Sequence, residues 1–149
     1  MPTPTVLDVA HYILEEKESM TAMKLQKLVY YCQAWSLVWD ERALFQEKIE
    51  AWSNGPVVKE LFDEHRGAFS VSKEMINGNS DNIDSMGKET IDSVLEYYGD
   101  KGSRWLSDLT HMEDPWKNAR AGLPEGRRSN REITHASMAE YYESLPVQE

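Results

Sequence analysis

The sequence predicts a mainly α-helical fold: a single compact multi-helix domain around a central buried helix, with at most a small β-hairpin. Three observations predict it. Thr21 to Trp39 contains no proline or glycine and is apolar on two sides. Further stretches repeat their apolar residues at helical spacing. Only two short runs, Ile49–Trp52 and Ala68–Ser72, look like strands.

In the central stretch, Leu25, Leu28, Val29, Cys32, Trp35 and Trp39 fall on one side at 100° per residue, with Tyr30, Ala34 and Leu37 on the other. Thr21 is placed to cap the first turn, flanked by Met20 and Leu25 as a hydrophobic staple. One narrow strip stays polar: Lys24, Lys27 and Tyr31. It is either a solvated strip or a contact surface for an acidic group.

A first helix is expected from about Val6 to Glu18, with Thr5 as cap and Asp8 three residues on as a loose capping box. Asn54, Gly55 and Pro56 form a turn signal, and Pro56 suits the first position of a helix reaching His65. Gly67 ends that helix, and the strand after it is expected to pair with Ile49–Trp52. Asn77 to Asn82 reads as loop. Helix returns from about Lys88 to Tyr98, and Gly99 supplies the stop. Ser103 is read as the cap of a short helix carrying Trp105, Leu106 and Leu109; Asp114 is read as the cap of the next, with Pro115 in its first turn. Gly122 ends it, and the loop Leu123–Glu132 precedes a last helix from Thr134 to Ser144, with Ile133 and Met138 as staple.

With 149 residues the chain is long enough for one core, and five Trp with seven Tyr help to fill it. Met1 to Thr5 is polar and proline-bearing, unlike a signal peptide, and no apolar run approaches a membrane span, so a cytoplasmic protein without membrane contact is expected. The single cysteine, Cys32, permits no internal disulfide and sits on the apolar face of the central helix, where it reads as an inert core residue. A formal net charge of −10 argues against nucleic acid as a partner. Against that background Lys117, Arg120, Arg127, Arg128 and Arg131 form a local basic patch, either a solvated loop or a dock for an acidic partner.

No cofactor is expected. His111 and Glu113 form an H-x-E, but the zinc deaminase signature requires two further cysteines that the chain lacks. The four histidines lack the i, i+4 spacing of a helical metal site, and no glycine-rich phosphate loop or nucleophile elbow is present. A binding function is therefore expected, with a metal-dependent enzyme assembled from distant ligands as the alternative.

Three motifs then stand in order: K-L-Q-K-L-V-Y-Y-C-Q-A-W within Thr21–Trp35, I-E-A-W-S-N-G-P-V-V at Ile49–Val58, and L-T-H-M-E-D-P-W-K-N-A-R at Leu109–Arg120. Together they resemble the Panacea domain, the SocA-like antitoxin family also catalogued as a phage-associated protein family. The resemblance covers nearly the whole chain, and residues 1–149 are expected to form a single domain of this kind. It implies a mostly α-helical antitoxin of a toxin-antitoxin system, with a cognate toxin encoded nearby and neutralised by direct contact. Some members resemble adaptors that deliver the toxin to an ATP-dependent protease. Some relatives carry an extra helix-turn-helix region for operator DNA; none is expected in these 149 residues, so autoregulation by DNA binding is not expected from the resemblance. The motif residues Trp35, Trp52, Gly55, Pro56, His111, Glu113, Pro115 and Trp116 read as structural. The toxin-contact candidates are Lys24, Lys27, Tyr31, Arg127, Arg128 and Arg131, since tyrosine and arginine contribute strongly at protein interfaces.

Overall fold

The computed structural model describes residues 3–146; Met1 and Pro2, part of the N-terminal segment read above, lie outside them. The described chain is mainly helical. Helix α1 (Val6–Lys17) carries a complete capping box: the Thr5 hydroxyl accepts from the Asp8 amide at 3.2 Å, and the Asp8 carboxylate accepts from the Thr5 amide at 2.9 Å. Strand β1 (Met20–Thr21) runs straight into α2 (Ala22–Trp39), whose first turn is capped by the Thr21 hydroxyl accepting from the Lys24 amide.

From Leu25 to Ala34 every residue of α2 is buried. The helix packs against α1, α4 (Ser85–Tyr98), α5 (Ser103–Met112) and α7 (His135–Glu143). Buried polar side chains on it need partners. Gln26 grips the backbone of Val58, receiving its amide at 2.9 Å and donating to its carbonyl at 3.3 Å. Two helical turns on, Gln33 does the same to the segment after α2, accepting from the Leu44 amide and donating to the Phe45 carbonyl, both at 2.7 Å. Each glutamine clamps an irregular part of the chain to the helix. Cys32 is fully buried, and burial pushes its thiol well up.

The β structure exceeds a single hairpin. Strands β2 (Ile49–Trp52) and β3 (Gly55–Val58) form a tight hairpin around Ser53–Asn54, and β5 (Glu132–Ile133) adds to the other side of β2. Strand β4 (Ser70–Val71) pairs with β1 instead of with β2. Pro56 is therefore in a strand, and α3 begins three residues later, at Lys59–His65. The reason is local: Gly55 adopts φ +123°, which closes the hairpin, and β3 is an edge strand. Pro56 faces Ala51, whose amide bonds the Arg131 carbonyl and whose carbonyl accepts from Arg120, so no amide is required of the proline.

Other boundaries shift for similar reasons. Helix α4 starts at Ser85 because Asp84 caps it, accepting from the Gly87 amide. The cap position of α5 is Gly102, and the Ser103 hydroxyl instead hydrogen-bonds that of Thr21. Asp114 lies inside the first turn of α6 (Asp114–Ala119), with Glu113 at the cap position making no capping bond. The end of the loop Asn77–Asn82 coils into a short 3₁₀ turn, Ser80–Asn82. No helix among the described residues is long and apolar enough to cross a membrane.

Candidate functional site

Two places concentrate unusual side chains. The first is the corner where α5 and α6 meet the β2–β3 hairpin. Trp116 donates from its indole to the Trp52 carbonyl at 2.8 Å. His111 packs tilted against Trp116, ring centroids 4.1 Å apart, with Nδ1 2.6 Å from the Ser107 carbonyl and Nε2 3.4 Å from that of Ser53. Arg120, buried, donates to the carbonyls of Ala51 at 2.9 Å and Arg127 at 2.6 Å. Beneath the hairpin lies Lys27 of α2, fully buried, its ammonium without a hydrogen-bond partner among the described residues. Burial brings its pKa down to about 8.

The second place is a groove of about 660 Å³ at the far end of α2. The last turns of four helices line it: Trp35 and Trp39 of α2, Tyr97 and Tyr98 of α4, Met112 of α5, and Tyr141 to Glu143 of α7. Trp35 stacks on Trp39 at 5.0 Å and donates to the Tyr98 hydroxyl at 3.1 Å. Trp39, Tyr97 and Met112 stay half or more exposed, an apolar rim of the kind that marks interaction sites.

Glu113, just past the end of α5, lines the groove and is only 6% exposed. Its Oε1 accepts from the Tyr31 hydroxyl and from the Tyr142 hydroxyl, each at 2.7 Å. Because Tyr142 spends its proton on Glu113, the Tyr30 hydroxyl, 2.9 Å away, donates to Tyr142. Tyr31 also stacks flat on Tyr98 at 4.2 Å. Burial raises the Glu113 pKa above its ordinary value, and the hydrogen bonds from the two phenols offset that rise only in part. The phenols of Tyr31 and Tyr142 are pushed well up, by burial first and by the nearby carboxylate.

The polar strip expected on α2 does not form a surface. Lys27 and Tyr31 are fully buried, so neither is available to a partner: β3 and α5 cover the first, and the α4 and α7 aromatics enclose the second. Lys24 is half-buried at the other end of the helix, its pKa lowered by desolvation and then by Lys17. Arg131 turns its guanidinium back onto the Ala121 carbonyl at 2.7 Å, beyond the end of α6. Arg127 and Arg128 are exposed; Arg128 lines a shallow pocket with Glu50, Trp52 and Lys59. His111 and Glu113 have separate partners, one at the hairpin corner and one at the groove, so the H-x-E is not a unit. Pro115 is buried at the start of α6. The groove itself escaped the sequence reading. Its signal was the three Tyr-Tyr pairs at 30–31, 97–98 and 141–142, each of which sends at least one ring toward Glu113 or its phenol partners.

A family model described as antitoxin SocA-like, Panacea domain, matches residues 25–117, more than half of the 149-residue chain. The match takes in most of α2, the β2–β3 hairpin and α5 with the start of α6, which together build the corner and much of the groove. No curated protein and no solved structure matches the chain.

Proposed function

This chain belongs to the SocA-like, Panacea-domain antitoxin family, and from that premise we propose that it is the antitoxin of a toxin-antitoxin pair, neutralising a toxin encoded beside it by direct protein contact. The observation that carries the reading is the family match across the hairpin corner and the central helix. Residues 1–149 act in this reading as one cytoplasmic domain built around α2, and the function is binding, without catalysis. The buried polar groups support it, since Lys27, Gln26, Gln33 and Arg120 are occupied in holding the fold together or are sealed inside it. Of the basic candidates, Arg127, Arg128 and Arg131 are all exposed on the loop, but the Arg131 guanidinium is bonded to the Ala121 carbonyl, which leaves Arg127 and Arg128 to meet an acidic partner group.

Co-expression with the neighbouring open reading frame tests the proposal. The expected result is growth rescue together with a stable complex on pull-down. Rescue without a complex, lost in a protease-deficient host, replaces masking by delivery to an ATP-dependent protease. Absence of toxicity in the neighbour expressed alone sinks both.

A further inference from the structure

Four helix C-termini converge on the aromatic groove: Trp39, Tyr98, Met112 and Glu143 are the last residues of α2, α4, α5 and α7, and all four line it. A helix C-terminus carries roughly half a negative charge and ordinarily attracts a lysine, arginine or histidine into its last turn. Helices α2, α4 and α7 have none there. Helix α5 has His111, whose ring is turned to the Ser107 and Ser53 carbonyls at the hairpin corner. The groove lining adds two carboxylates, Glu113 and Glu143, and among the described residues it contains no lysine, arginine or histidine. Negative potential is gathered here, and among the described residues no cation lines the groove to meet it.

The walls fit the same ligand. Tryptophan and tyrosine faces attract cations, and Trp35, Trp39, Tyr97, Tyr98, Tyr141 and Tyr142 all line the groove. At its floor, Glu113 Oε1 is taken by two phenols, while Oε2 has no hydrogen-bond partner among the described residues. A purely apolar ligand would cover that oxygen and leave it unpaired in a dry site, which is costly. An ammonium or guanidinium pairs with it. The rim of Trp39, Tyr97 and Met112 remains for apolar neighbours of the cation.

We propose that the groove captures a lysine or arginine side chain presented on an apolar segment of the partner protein, with Glu113 as its counter-charge and the aromatic walls as its sleeve. This rests on the antitoxin reading for the identity of the partner. It names the surface and the chemistry of what that surface takes.

The test has two arms. In the first, butylguanidinium and its neutral isostere butylurea are titrated into the full chain while the indole resonances of Trp35 and Trp39 are followed. Saturable shifts with butylguanidinium are expected, with at least tenfold weaker binding of butylurea. Glu113→Gln keeps an oxygen that accepts from Tyr31 and Tyr142 and is expected to abolish the preference. Equal binding of the two probes, or binding of neither, overturns the proposal, as does an unchanged preference in Glu113→Gln. In the second arm the neighbouring gene product is titrated against wild type, Glu113→Gln and Tyr97→Ala, the last a half-exposed rim residue whose loss leaves the core intact. A tenfold or greater loss of affinity in both variants, at unchanged melting, is expected. Wild-type affinity in both overturns the groove as the partner site and leaves the antitoxin reading standing. If the wild type itself does not bind the neighbour, that reading fails and the first arm alone decides whether the groove is a cation site. Sedimentation separates the remaining occupant: a dimer dissolved by Tyr97→Ala means a second copy covers the groove and overturns the proposal.

Discussion

Lys27 and Gly55 share one small volume: a methyl group built on Gly55 stands 2.6 Å from Lys27 Cε, 3.0 Å from its Nζ and 3.4 Å from the Thr110 hydroxyl. The glycine thus does two jobs, adopting φ +123° to close the hairpin and leaving room for a lysine that β3 then seals. Helix, hairpin and α5 meet at this point.

Gly55→Ala is therefore expected to cost roughly 2–4 kcal/mol, from a backbone angle that L side chains avoid and from overpacking against Lys27. Denaturant unfolding of Gly55→Ala, Lys27→Ala and the double variant separates the two contributions. Because Lys27→Ala removes the colliding atoms, the glycine substitution should cost less in that background, with a coupling of about 0.5–3 kcal/mol. Strict additivity would mean that the angle alone matters.

Lys27→Met is expected to stabilise the protein. The buried ammonium titrates at about 8, whereas an unfolded lysine titrates near its ordinary value of about 10.4. Between those values the unfolded chain holds more protons than the folded one, so stability rises with pH through the window, and the full penalty is present below it. Replacing the ammonium with a thioether of similar length should recover about 3 kcal/mol at pH 7, an advantage that shrinks from pH 8 and vanishes near 10.5. The buried phenols act oppositely above about pH 10, since burial raises Tyr30, Tyr31 and Tyr142. They are common to both proteins, so the difference between wild type and variant isolates Lys27. A constant difference from pH 7 to 10.5 would contradict the assignment.

Much of this corner was hidden from the sequence for a physical reason. The start of α2 was legible because Thr21 is a strong cap and nothing interrupts the apolar pattern to Trp39, yet helical periodicity places Lys27 on a polar strip and has no means of knowing that a hairpin covers it. Pro56 misled in the same way, since proline is as acceptable on an edge strand as in a first helical turn, and the choice was made by the angle at Gly55. Strands of two residues, β1, β4 and β5, are too short for alternation to register. In the sequence Glu113 reads as half of an H-x-E and as a structural motif residue, not as the floor of a groove. Its phenol partners come from α2 and α7, 82 and 29 residues away, a distance that no local pattern spans.

If α2 is the element around which the domain is built, Leu28→Ala should cost about 2–5 kcal/mol, because the side chain is fully buried and its neighbours refill the cavity only in part. That is a large fraction of the stability of one domain. Thermal melting measures it directly, and an unchanged transition removes α2 from the centre of the architecture.

Arg127 and Arg128 offer a contrast with the groove. Both are exposed, and the loop around them is held by Arg120 and Arg131, whose guanidinium groups bond backbone carbonyls within or beside it. Reversing the two charges, Arg127→Glu with Arg128→Glu, should leave unfolding within about 0.5 kcal/mol of wild type. Exposed ion pairs contribute about 0.2–1 kcal/mol each, so the double reversal should weaken partner binding by only about 2- to 30-fold. The loss should sit mainly in the association rate and fade with added salt, as expected of charges at the rim of an interface. Groove variants should instead speed dissociation and respond little to salt, because the Glu113 carboxylate is removed from solvent. Stopped-flow kinetics at two ionic strengths distinguishes the cases. If the arginine reversal raises the dissociation rate and groove substitutions leave it unchanged, the partner is gripped at the loop, and the aromatic groove at the end of α2 serves another ligand.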